Sequence, residues 1–138
     1  MMVDLFRAFE VSASGMYAQR IRMNVIASNI ANFESYLPGN RPFRKLEVVF
    51  EAQEDPYLLQ KGYVPVKVVQ IRESNQPLRL IYDPQNPRAD QKGYVAMPDV
   101  EVVKEMVDMI SAMRSYEANL NAFSTTKDIA QRTIELWK

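Results

Sequence analysis

The chain has 138 residues, 47% of them hydrophobic and 25% charged, enough apolar material for one ordinary domain or a small domain with extended arms. Its 17 basic and 17 acidic residues cancel, which argues against binding nucleic acid by bulk charge. It contains neither cysteine nor histidine, so disulfide frameworks, cysteine-ligated metal sites and the usual nucleophile–histidine catalytic sets are excluded.

The N-terminal arm, residues 1–33, is proline-free and reads as a helix. Leu5, Phe9, Ser12, Met16, Gln19, Met23, Ile26 and Ile30 alternate steps of four and three, a heptad seam with two polar interruptions. This line is expected to meet the other arm inside the subunit. A second line, Val11, Gly15, Ala18, Arg22, Val25, Asn29 and Asn32, is mostly small and turns polar toward its end. Two such faces suggest packing on two sides, so this second line is assigned to contacts between subunits. A buried, unpaired amide would cost about 1–3 kcal/mol, so Asn29 and Asn32 should hydrogen-bond to backbone or to a neighbouring helix. Asn32 can also end the helix in the left-handed conformation.

All eight prolines and three of the four glycines lie in the middle segment, residues 34–98. Its short β-branched and aromatic runs, 45–52, 63–73, 78–83 and 94–97, predict strands of a small sheet, with Pro65 at an edge position. Asp83 and Asp90, in "YDPQNPRAD", are the best acidic candidates for a catalytic pair. Asp-Pro and Asn-Pro steps initiate turns, and that is the reading adopted for them. The basic cluster Arg41, Arg44 and Lys45 reads as a solvated loop or an intersubunit salt-bridge patch.

The C-terminal arm, residues 99–138, repeats the heptad rhythm through Val102, Met106, Met109, Met113, Tyr116, Leu120, Phe123, Ala130, Ile134 and Trp137, with Lys127 the one departure. Asp99, after Pro98, is the expected N-cap. Acidic residues at the start and basic ones at the end suit the helix dipole. The expected fold is therefore α+β: two long terminal helices paired as an antiparallel coiled coil, with a small β-rich, proline-containing domain between them.

No run reaches the roughly 18–20 apolar residues of a membrane span. The opening "MMVDLFRAFEVS" has charges within its apolar stretch and no signal-peptide core, so export would need a route without signal cleavage.

Four segments, "RMNVIASNIAN", "RPFRKLEVVF", "YDPQNPRADQKGYVAMPDV" and "EMVDMISAMRSYEANLNAF", together resemble the FlgC family of bacterial flagellar basal-body rod proteins. The similarity runs along essentially the whole chain, in order. Asp99 stands where the family usually has Asn, and Ser35 where Thr is common; both keep a turn-forming side chain. The resemblance implies a non-enzymatic structural subunit of the proximal rod, without cofactor or metal. Such a subunit assembles helically with other axial proteins, carries torque from motor to hook and lines the export channel. Implied partners are the other proximal and distal rod proteins, the adaptor between rod and membrane ring, and the flagellar type III export apparatus. Neither nucleic acid nor direct membrane insertion is implied. Alternatives are a sister rod protein or, in another class, a cytoplasmic coiled-coil adaptor or export chaperone.

Overall fold

The computed structural model describes residues 2–138. Two helices of 30 and 34 residues dominate it: α1 (Met2–Ala31) and α3 (Val102–Glu135). They run antiparallel. Phe9 meets Phe123 with ring centroids 4.8 Å apart, and at the other end Asn29 reaches Glu105 at 3.1 Å. Among the described residues, no helix is long and apolar enough to cross a membrane.

The middle segment folds into three separate two-stranded antiparallel ribbons rather than one sheet. The first pairs β1 (Tyr36–Leu37) with β2 (Arg41–Pro42). The second, and longest, pairs β3 (Leu46–Ala52) with β4 (Val66–Glu73), joined through the short helix α2 (Pro56–Gln60). The third pairs β5 (Arg79–Tyr82) with β6 (Tyr94–Met97).

Proline placement explains why the strands stay short. Pro65 precedes β4 rather than sitting within it, and its carbonyl accepts from the Gln53 amide at 2.8 Å. Having no N–H, it closes the ribbon where a ladder donor is not needed. Tight turns do the rest. Asp90 accepts from the amides of Lys92 and Tyr94 at 2.8 and 2.9 Å, and Gly93 supplies the positive φ of 84° that follows. Asp83 accepts from the Asn86 side chain at 3.4 Å. Both aspartates thus serve turns.

The β3–β4 ribbon has two unlike faces. Leu46, Val48 and Phe50 lie on one, with Val68 and Val66 opposite Phe50 and Ala52, and they pack on α1. Glu47 opposite Arg72 and Glu51 opposite Lys67 form the other, solvated face. A register shift at Val49/Phe50 leaves Val69 without a partner in the ladder, and Val69 and Ile71 are both exposed.

Both expected caps of the long helices differ in detail. Glu101, in extended conformation, is the N-cap of α3 and makes no side-chain cap bond. Asp99 lies two residues too early, because buried Pro98 and Val100 anchor the chain before the helix begins. At the end of α1, the Asn32 amide group donates to the Ser28 carbonyl at 2.8 Å, so its side chain, not a left-handed backbone, satisfies the last turn.

Candidate assembly interface

The covered side of α3 forms a regular line. Val102, Glu105, Met109, Ala112, Tyr116, Asn119, Phe123, Thr126, Ala130 and Thr133 are buried or half-buried against α1. One half of this heptad is the half read from sequence: Val102, Met109, Tyr116, Phe123 and Ala130. The other half is small or polar. Met106, Met113, Leu120, Ile134 and Trp137, expected inside the seam, are exposed. Met106, Met113, Leu120 and Ile134 each stand one residue beyond a covered position, which rotates them about 100° around the helix to the edge of the contact, and Trp137 lies past the helix end at Glu135.

In α1, Leu5, Phe9, Met16, Met23 and Ile30 are half-buried and Ile26 is buried. The small-residue line is covered from within the chain. Ala18, Val25 and Asn29 are buried, while Val11, Gly15, Arg22 and Asn32 are half-buried. Ala18, Val25 and Asn29, assigned from sequence to contacts between subunits, are thus occupied inside the subunit. The second partner of this line is the chain's own β3–β4 ribbon, with α3 beside it. Gly15 shows how closely: a Cβ there would stand 2.5 Å from the Asn119 side chain on α3. Ser14 ties the same region to the ribbon, accepting from the Val66 amide at 3.1 Å while donating to the Val11 carbonyl at 2.7 Å.

A polar knot joins all three layers. Asn29 is 1% exposed. Its Oδ1 accepts from the Leu46 amide at 2.8 Å, and its Nδ2 donates to the Leu46 carbonyl at 2.9 Å and to Glu105 Oε2 at 3.1 Å. The asparagine thereby imitates a neighbouring strand for one residue of β3. Glu105, equally buried, receives Lys45 Nζ on its other oxygen at 2.7 Å. Burial of Lys45 works against its charge, but the hydrogen bond and charge of Glu105 outweigh this. Asp108 and Asp99 add to the effect, so the ammonium titrates above its ordinary value of 10.5. Buried charges of this kind are tolerated when paired and hydrogen-bonded. Lys45 thus belongs to an internal ion pair rather than to an outward patch, and Arg44 donates to the Gln76 carbonyl at 2.9 Å.

The loop around Tyr36 links the first and third ribbons. Its hydroxyl donates to the Ala96 carbonyl at 2.9 Å, and the Arg88 guanidinium sits 4.1 Å above its ring.

Among the exposed residues of the helices are several large apolar side chains. Val103, Met106, Val107, Ile110, Met113 and Leu120 are exposed along one flank of α3 beside the covered line, with the exposed Arg114 and Glu117 standing before Leu120. At the far end, Leu5, Phe9, Ala130, Thr133, Ile134 and Trp137 border a groove of about 490 Å³. Contiguous exposed apolar surface of this kind marks an interaction site. The signal was present in the sequence: Met106, Met113 and Leu120 had the right rhythm, and only the side of the helix they occupy was open.

Comparison with known proteins agrees with this architecture. Residues 91–136, holding β6 and all of α3, match the family described as flagellar basal body rod FlgEFG protein C-terminal. Residues 9–33, from the second turn of α1 to just past its end, match the family described as flagella basal body rod protein. Paired terminal helices carrying both matches define a flagellar rod protein. The relatives narrow this further. The flagellar basal-body rod protein FlgC of Aquifex aeolicus is 58% identical, covering 99% of this chain and 100% of its own length. Those of Escherichia coli and Bacillus subtilis are 44% and 36% identical, each over 96% of this chain. The chain belongs to the FlgC family of flagellar basal-body rod proteins.

Proposed function

We propose that the chain is a non-enzymatic structural subunit of the proximal rod, and that the exposed flank of α3 is the face by which neighbouring axial subunits hold it. The carrying observation is the inversion of the heptad. Half of the internal seam is filled with Glu105, Ala112, Asn119, Thr126 and Thr133, while the larger apolar Met106, Met113, Leu120 and Ile134 beside them are exposed. Burying each large side chain is worth roughly 1.5–3 kcal/mol, so a partner that covers the flank gains more per residue than the internal seam does there. In this reading the helix pair is the assembly element, and the ribbons brace α1 from the other side.

Partners are the other proximal and distal rod proteins and the adaptor between rod and membrane ring, with delivery by the flagellar type III export apparatus without signal cleavage. Helical stacking of such pairs carries torque from motor to hook and encloses the export channel. Their support is membership of the rod-protein family together with the unpartnered flank. The test is a Val107→Glu/Ile110→Glu variant, charged at two exposed positions. Expressed in cells lacking their own copy, it should keep its folded circular-dichroism spectrum but fail to enter basal bodies or restore swimming. Normal incorporation would remove the flank from the interface.

A further inference from the structure

We propose that Met106 and Met113 are an oxidation-sensitive pair: sulfoxide formation at these two thioethers in the free subunit blocks its incorporation. The proposal rests on the reading of the α3 flank as the assembly face. The chain has no cysteine, so methionine is the only sulfur that a two-electron oxidant meets. Met106 and Met113 are 51% and 48% exposed, whereas Met16, Met23, Met97 and Met109 are half-buried. Seven residues apart, the pair sits two turns apart on one side of α3, a separation of about 10 Å. Met2 is exposed too, but at the opposite end of the helix pair.

The chemistry is a simple oxygen transfer from a peroxide. The thioether sulfur attacks one peroxide oxygen, the O–O bond breaks and an S–O bond forms. The departing oxygen takes up the proton and leaves as water (for hydrogen peroxide), so the sulfur is oxidised by two electrons and the peroxide reduced by two. The product oxygen is a strong hydrogen-bond acceptor. In the free subunit water solvates it, because about half of each side chain is exposed at the edge of the seam. Under a neighbouring subunit it would lie among Val103, Val107 and Ile110, whose side chains donate no hydrogen bond. Assembly in turn covers both sulfurs, so oxidation acts on subunits awaiting incorporation. Sulfoxide reductases, one for each epimer, return the side chain to its apolar form.

The experiment uses the full chain in cells lacking their own copy, with three forms: native, Met106→Gln/Met113→Gln as sulfoxide mimic, and Met106→Leu/Met113→Leu. Basal bodies and the unassembled pool are collected after a hydrogen peroxide pulse, and sulfoxide is mapped by peptide mass spectrometry. The glutamine form should melt normally yet incorporate at least tenfold less, even without peroxide. The native form should show sulfoxide at both positions in the unassembled pool only, with incorporation falling relative to the leucine form. Unmodified Met106 and Met113, or equal incorporation of native and leucine forms under peroxide, would overturn the oxidation proposal. Normal incorporation of both the glutamine form and Val107→Glu/Ile110→Glu would instead overturn the flank reading beneath it.

Discussion

Replacing Asn29 by alanine removes three hydrogen bonds at one point: two to the backbone of Leu46 and one to Glu105. Each partner loses its mate in a poorly hydrated place. An unsatisfied group costs about 1–3 kcal/mol, with the low end fitting half-buried Leu46 and a larger share falling on the buried carboxylate. Alanine returns about 0.5 kcal/mol of helix propensity. The net expected loss is about 3 kcal/mol, a large part of the 5–15 kcal/mol typical of a domain. At this chain length it corresponds to a fall of about 10 °C in Tm. Urea unfolding followed by far-ultraviolet circular dichroism measures it, and an unchanged m value confirms that the denatured state is the same. Asn24→Ala, at an exposed position of the same helix, is the control and should stay within about 0.5 kcal/mol of the native chain. Asn29→Asp should be worse than alanine, because it sets a second carboxylate against Glu105 and the Leu46 carbonyl. The Leu46 amide should also exchange faster in both variants. If Asn29→Ala proved no worse than Asn24→Ala, the knot would not hold the three layers together.

Lys45→Met leaves Glu105 buried without its cation, and with Lys45 20% exposed the expected loss is about 3 kcal/mol near neutral pH. Because the folded-state pKa of Lys45 is raised, this contribution is complete below 10.5 and disappears as pH rises through the folded value. The stability gap between native and Lys45→Met chains, measured by urea unfolding, should therefore narrow only at strongly alkaline pH. Gly15→Leu should push α3 off α1 at Asn119 and lower stability by about 1–3 kcal/mol, and adding Asn119→Ala should recover most of it in the same assay. Ser14→Ala strips the Val66 amide of its acceptor and should cost about 1–2 kcal/mol, with faster exchange of that amide.

Helix spans and strand positions were legible because they rest on local signals. Prolines confined to the middle leave both arms free to be helical, and alternating valines mark the ribbons. The phase of the seam was not legible in α3. Heptad reading ranks faces by hydrophobicity, and here the more apolar line, through Met106, Met113 and Leu120, lies outside the subunit. Glu105 and Asn119 occupy internal positions that no hydrophobic pattern selects. The line through Ala18 and Asn29 was assigned to contacts between subunits, and in the fold much of it is covered from within the chain. That its second partner is β3–β4 follows from contacts distant in sequence, such as Asn29 with Leu46 and Ser14 with Val66. Asn29 was expected to need a partner, and it has three bonds. Which groups supply them is a property of the fold rather than of the stretch "NVIASNIAN".

The lack of native cysteine allows a clean test of the assembly flank. A single Val107→Cys chain, labelled with a maleimide, reports whether the exposed side of α3 is covered in the rod. Labelling should be rapid in the free subunit, where Val107 is 60% exposed, and at least tenfold slower in isolated basal bodies. Equal labelling in both would mean that the flank stays open after assembly and that another surface holds the subunit in place.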